Sequence, residues 1–192
     1  LDINYEKFKE FYQTLNKFVL KPVGSGSSFG VRIFASFDQI DSYFQNYTSE
    51  INLYKDHDNL MIEKYIEGKE LTVGVLEKNN NSISMAVTEI LYENQFYDYK
   101  AKYTEGKSQH IIPARISKDI YDRSLNLAKI AHDKLECRGL SRSDFIFDGK
   151  DLFFLEINTQ PGLTLTSLVP EQSEYIKISF ENLINSIIHS SL

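Results

Sequence analysis

Arg142-Ser143-Asp144-Phe145-Ile146-Phe147 and Leu152-Phe153-Phe154-Leu155-Glu156-Ile157-Asn158 flank the short stretch Asp148-Gly149-Lys150-Asp151. Aromatic and aliphatic residues on both sides of a turn-forming stretch predict a β-hairpin. With Gly149-Lys150-Asp151 as a three-residue loop, Asp144 stands opposite Glu156 and Arg142 opposite Asn158. Side chains alternate along a strand, so these four share one face at the end far from the turn. The other face carries Ser143, Phe145, Phe147, Phe153, Leu155 and Ile157 and belongs to a core. One side builds the interior and the other presents oxygen atoms beside a cation.

Two opposed carboxylates repel unless something positive lies between them. Arg142 supplies part of that charge, and a hard divalent cation would supply it more fully. The donors on offer are carboxylate and amide oxygens, which suit Mg²⁺ or Mn²⁺ rather than zinc. The alternative, on the residues alone, is a solvated polar face with a surface Arg–Asp pair. Asn158 runs into Thr159-Gln160-Pro161-Gly162, an irregular exit that suits a site better than a plain surface.

Upstream, Lys21-Pro22-Val23-Gly24-Ser25-Gly26-Ser27-Ser28-Phe29-Gly30 lies between two strand-like runs, Lys17 to Lys21 and Val31 to Phe34. Glycines let backbone amides close around phosphate oxygens, and the serine hydroxyls add donors. No Gly-Lys-Ser/Thr follows, so this is not a P-loop, and a strand rather than a helix leaves it, against a Rossmann turn. The remaining readings are a strand–loop–strand flap over phosphates and a plain surface hairpin. Gly26-Ser27-Ser28-Phe29-Gly30 also fits the pattern of a serine-hydrolase elbow, which demands a helix after the serine.

Elsewhere Phe8, Phe11, Tyr12 and Leu15 predict an amphipathic helix, Ser36 to Tyr47 a second, and Asn59 to Ile66 a strand. Leu71 to Glu77 and Ser82 to Ile90 form a hairpin around Asn79-Asn80-Asn81. Phe96 to Ile112 is polar and aromatic and reads as a structured loop. Ser117 caps a helix carrying Ile120, Leu127, Ala128, Ala131 and Leu135. A last helix carries Ile176, Phe180, Leu183, Ile184, Ile187 and Ile188. Hairpins and separated helices give an α+β class.

The 192 residues are 42% hydrophobic and 13% aromatic, enough for a substantial core, and the net charge of −6 argues against nucleic acid as a partner. No apolar run is long enough to cross a bilayer, so no membrane partner is expected. Cys137 is the single cysteine, which fits a reducing cytoplasm. The four histidines, 57, 110, 132 and 189, show no metal-ligand spacing. The chain opens Leu-Asp-Ile without methionine and reads as a piece of a longer protein.

In order and spacing, four blocks resemble the D-alanine–D-alanine ligases of the ATP-grasp superfamily. They are Lys21-Pro22 with Gly26-Ser27-Ser28-Phe29-Gly30; Glu63-Lys64-Tyr65-Ile66 with Glu70; Phe96 to Tyr103; and Arg142-x-Asp144 through Glu156-x-Asn158-Thr159-x-Pro161-Gly162 to Ser167-Leu168-Val169-Pro170. The resemblance implies an ATP-grasp fold, with ATP held between two β-rich subdomains: residues 1–68, a partial central subdomain, and 69–192, the C-terminal one. It implies that Lys21 and Lys102 contact phosphates, that Ser27 and Ser28 belong to the loop over them, and that Glu63, Lys64 and Ile66 line the adenine edge. Phe96 would lie against the adenine ring and Glu70 on the ribose hydroxyls. Asp144, Glu156 and Asn158 would hold two Mg²⁺ or Mn²⁺ ions, with Glu156 bridging. Arg142 and the Gly162 amide would stabilise an oxyanion, and Ser167 and Leu168 would bind the carboxylate of the second D-alanine. Ser27 and Tyr103 would join a hydrogen-bonded group that positions loop and substrates.

The implied activity is ADP-forming ligation of two D-alanines for peptidoglycan precursors, in a cytoplasmic protein that is a homodimer at full length. An N-terminal substrate domain is then absent from this chain, which by itself is expected to be inactive. Leu140 and Ser141 depart from the family, which usually has a bulky aromatic and a glycine before the arginine, and Val23-Gly24-Ser25 lacks the charges often found after the Lys-Pro pair. Other carboxylate–amine ligases of the superfamily, including one making D-alanyl-D-lactate, remain open, as does a nucleotide-binding module without catalysis. Tyr103 favours the dipeptide.

Overall fold

A computed structural model describes residues 4–24, 29–52, 54–55, 59–78, 81–92 and 108–190. The described residues divide into two compact units between Ile66 and Glu67.

The unit before that division opens with α1 (Tyr5–Leu15). Asn4 caps it by accepting from the Glu6 amide at 2.8 Å, and Asn16 ends it at a φ of 59°. Strands β1 (Phe18–Pro22), β2 (Arg32–Phe34) and β3 (Leu60–Lys64) form an antiparallel sheet in the order β2-β1-β3. Helices α2 (Phe37–Gln45) and α3 (Tyr47–Asn52) lie between β2 and β3 in sequence. The run expected as one helix from Ser36 to Tyr47 is therefore broken at Asn46, the C-cap of α2, and continues further than expected. The core is aromatic: the Phe8 ring meets Phe18 at 5.5 Å and Phe34 at 5.2 Å, both edge-on. A strand, β2, follows the glycine-rich stretch, so the elbow of a serine hydrolase is not formed.

The second unit is built on one antiparallel sheet, β6-β5-β4-β7-β8. Its strands are β4 (Lys69–Lys78), β5 (Asn81–Tyr92), β6 (Ser108–Ile111), β7 (Leu140–Phe147) and β8 (Leu152–Asn158). Helix α4 (Lys118–Lys134), capped by Ser117, covers one face, where Ala128 meets Leu71, Val73 and Phe145. Helices α5 (Leu168–Tyr175) and α6 (Phe180–Ser190) cover the other, where Val169 and Leu183 meet Leu76, Met85 and Leu140. Two expectations are corrected here. Ser108 to Ile111 is an edge strand pairing with β5, not loop. The final apolar run is two helices, because Lys177 takes a φ of 63° and Ile176 is only the C-cap of α5.

Candidate active site

The β7–β8 ladder pairs Asp144 with Glu156 and Arg142 with Asn158, as the alternation predicts. It reaches that register by another route. The closing pair is Phe147–Leu152, so the turn is one residue longer than expected, and Leu155 is an extra residue between the Phe145–Phe154 and Asp144–Glu156 pairs. The two irregularities cancel at the site end. Between turn and bulge they do not: Leu152 packs against the core, Phe154 stays exposed on the same side with its ring 5.4 Å from Phe145, and Phe153 pairs with Ile146 on the polar face. The expected placement of Phe153 and Leu155 in the core is thereby corrected.

Following the ladder across the sheet, Thr88, Thr72, Asp144 and Glu156 form one cross-strand row, with Glu70 two residues along on the same face. Asp144 is only 6% exposed, and three bonds fix its carboxylate. Arg142 donates to it twice, Nε to Oδ1 at 2.9 Å and a terminal nitrogen to Oδ2 at 2.7 Å, and the Thr72 hydroxyl donates to Oδ1 at 2.6 Å. Oδ1 thus has both lone-pair directions in use, while these bonds occupy one of the two on Oδ2. The Asn158 amide oxygen accepts from the Gln160 amide at 2.9 Å and retains a second direction too. Glu156 is exposed. Among the described residues no group of three or more His, Cys, Asp and Glu side chains converges. The donor set here is two carboxylates and one amide, all hard oxygens, and it fits a magnesium-like ion rather than a soft one.

Past β8, Gly162 lies close to Ser167: a Cβ on Gly162 would come within 3.0 Å of the Ser167 Oγ. Ser167 is the N-cap residue of α5, with its hydroxyl 2.7 Å from that of Thr164, and Leu168 is the first helical residue. One helix N-terminus thus carries both residues expected to bind a carboxylate.

In the other unit, Lys21 forms an ion pair with Glu63. Alternation puts both on the side of the sheet away from the buried Phe18 and Leu20, while Lys64 pairs opposite Phe18. Ile66 follows β3 and is half-buried. Ser27, Ser28, Phe96, Lys102 and Tyr103 lie outside the described residues.

Sequence reasoning missed Thr72 and Gln172. Gln172 is fully buried on α5; its Oε1 accepts from the Gly74 amide at 2.6 Å, and its Nε2 donates to the Thr72 carbonyl at 3.1 Å and the Thr88 hydroxyl at 2.9 Å. The β4–β5 register shifts between Val73 and Val75, and the side-chain amide takes the place of ladder bonds there. A glutamine on a helix with no strong apolar stripe gave no signal for this.

Residues 4–189 match the family model described as D-ala D-ala ligase C-terminus. The D-alanine--D-alanine ligase of Rhodospirillum rubrum is 40% identical over 178 residues, which cover 91% of this chain and 54% of that protein. VanG D-Ala:D-Ser ligase from Enterococcus faecalis is 31% identical, with a TM-score of 0.75 over 97% of this chain and 53% of its own. D-alanyl-alanine synthetase A from Vibrio cholerae shares the fold, with a TM-score of 0.79 at 21% identity over 97% of this chain and 56% of its own. The chain spans about half the length of these relatives. Its fold is α+β of the ATP-grasp type. With the match running from the first helix to the last, the chain belongs to the D-alanine–D-alanine ligase family, in the part described as its C-terminus.

Proposed function

We propose that this chain is the ATP- and metal-handling part of a ligase that forms D-alanyl-D-alanine for peptidoglycan precursors. Residues 1–68 act as the central subdomain and 69–192 as the C-terminal one, in a cytoplasmic protein that is a homodimer when complete. The observation that carries the reading is the Asp144–Glu156 pair beside Arg142 and Asn158, an oxygen-rich face with one fixed cation.

In this reading one carboxylate oxygen of the first D-alanine attacks the γ-phosphorus of ATP in line, forming an acyl phosphate and releasing ADP. The amine of the second D-alanine attacks the acyl carbon, loses a proton and expels phosphate. Arg142 and the Gly162 amide donate to the oxyanion of that second step. The missing Cβ of Gly162 lets Ser167 lie close by, and Ser167 and Leu168 orient the second carboxylate at the start of α5. Lys21 turns from Glu63 to a phosphate oxygen, and Lys64 and Ile66 with Glu63 border the adenine, with Glu70 on the ribose. Ser27, Ser28, Phe96, Lys102 and Tyr103 keep the roles that the resemblance implies. Asp144, Glu156 and Asn158 would hold two Mg²⁺ or Mn²⁺ ions, whose charge would offset the repulsion between carboxylate and phosphate.

The test is phosphate release from Mg-ATP by the protein at its natural length, with D-alanine alone and with D-serine or D-lactate added. D-Alanine-dependent release is expected. Release requiring another acceptor would reassign the second substrate, and nucleotide binding without any release would leave a binding module.

A further inference from the structure

We propose that Thr72 is a positioning residue for the metal-binding carboxylate, held in turn by Gln172, an inference that rests on the reading of Asp144 as a metal ligand. Asp144 has two supports, and they differ in kind. Arg142 grips it through two bonds, yet the proposed reaction also asks Arg142 to face the oxyanion. A guanidinium drawn toward substrate loosens its hold on the carboxylate. The Thr72 hydroxyl, fully buried and 2.6 Å from Oδ1, is the support that does not depend on substrate. A carboxylate can only accept, so the hydroxyl must donate, which fixes its rotor.

Thr72 sits beside the point where the β4–β5 ladder shifts register, the extra residue lying in β5 between Ser84 and Val87. Gln172 spans that irregularity from helix α5, bonding the Thr72 carbonyl, the Gly74 amide and the Thr88 hydroxyl. Helix α5 is the element whose first turn carries Ser167 and Leu168. One run of buried hydrogen bonds therefore joins the helix of the proposed acceptor site to the carboxylate of the proposed metal site. A partner that orients a metal ligand is typically worth about 10–100-fold in metal affinity.

The experiment measures Mn²⁺ binding by electron paramagnetic resonance, with and without ADP, on wild type and on Asp144→Asn, Thr72→Val and Thr72→Ser. Thermal melts are recorded alongside. Thr72→Val keeps the volume and removes the donor, and should weaken Mn²⁺ binding by about tenfold. Thr72→Ser restores the donor and should return affinity to within about twofold, a rescue that loss of packing alone would not give. If Thr72→Val fails to melt cooperatively, Thr72→Cys carries the test, with an intermediate loss expected from its weak donor. Wild-type affinity in the valine variant, with loss in Asp144→Asn, would overturn the positioning role and leave the metal site standing. Unchanged affinity in Asp144→Asn would overturn the metal site and the positioning role with it.

Discussion

Arg115 grips the buried Glu89 carboxylate from one side, donating from Nε at 3.0 Å and from a terminal nitrogen at 3.1 Å. The Arg115 backbone amide at 3.1 Å and Lys69 at 3.0 Å add two more donors, and Glu89 itself is 1% exposed. Arg115 first, and then Lys69, hold the carboxyl down from 4.5 to about 2 against the opposing effect of burial. A depressed folded-state pKa stabilises the protein above the unfolded value and loses that contribution as pH falls through the folded one. Glu89→Gln should therefore destabilise by about 2 kcal/mol at pH 7, less than a fully buried pair because both cations are partly solvated. In urea melts the gap between wild type and variant should stay constant above pH 4.5 and narrow toward pH 2. A gap independent of pH would show that packing, not charge, is lost.

Glu156→Gln should weaken Mg-ATP binding by about tenfold or more, since an amide oxygen is a poorer ligand for a hard cation. Glu156 is exposed, so stability should change by no more than about 0.5 kcal/mol. Calorimetry with and without Mg²⁺ separates the two, and a retained Mg²⁺ dependence would remove Glu156 from the site.

Gln172→Leu should destabilise the protein by about 2–4 kcal/mol, because it strips partners from the Gly74 amide and the Thr72 carbonyl at once. Guanidinium melts would show it as a lower midpoint with an unchanged slope.

Gly30→Ala should cost about 1–3 kcal/mol. Gly30 has a φ of 69°, and a Cβ there would lie 2.9 Å from the Tyr54 ring. Tyr54→Phe removes only the 2.7 Å bond to the Gly30 carbonyl and should cost about 1 kcal/mol. A thermal melt of each variant ranks them.

The hairpin of Asp144 and Glu156 was legible because a face of oxygen donors and a face of apolar residues alternate in one register. The turn and the bulge were not, since a three-residue turn and a four-residue turn with one bulged residue give the same pairing at the site. Strand β6, Ser108-Gln109-His110-Ile111, has a single apolar residue and sits at a sheet edge, so no alternation marks it. Helix α5 buries Gln172 and Ser173 beside Val169 and Pro170, which inverts the pattern a helix search looks for. Glu89 lies buried in a strand, and its partners Lys69 and Arg115 come from 20 and 26 positions away, where no local pattern marks them. Long-range polar partners are the part of a fold that periodicity does not encode.

Leu155, the extra residue in β8, divides its hairpin into halves that can be altered separately. A change of turn sequence around Gly149 is registered by Phe153 and Phe154, which would exchange sides, while Asp144 and Glu156 keep their partners. A lineage could thus vary the tip of the hairpin, or an engineer could graft onto it, with the chemistry at the far end left in place.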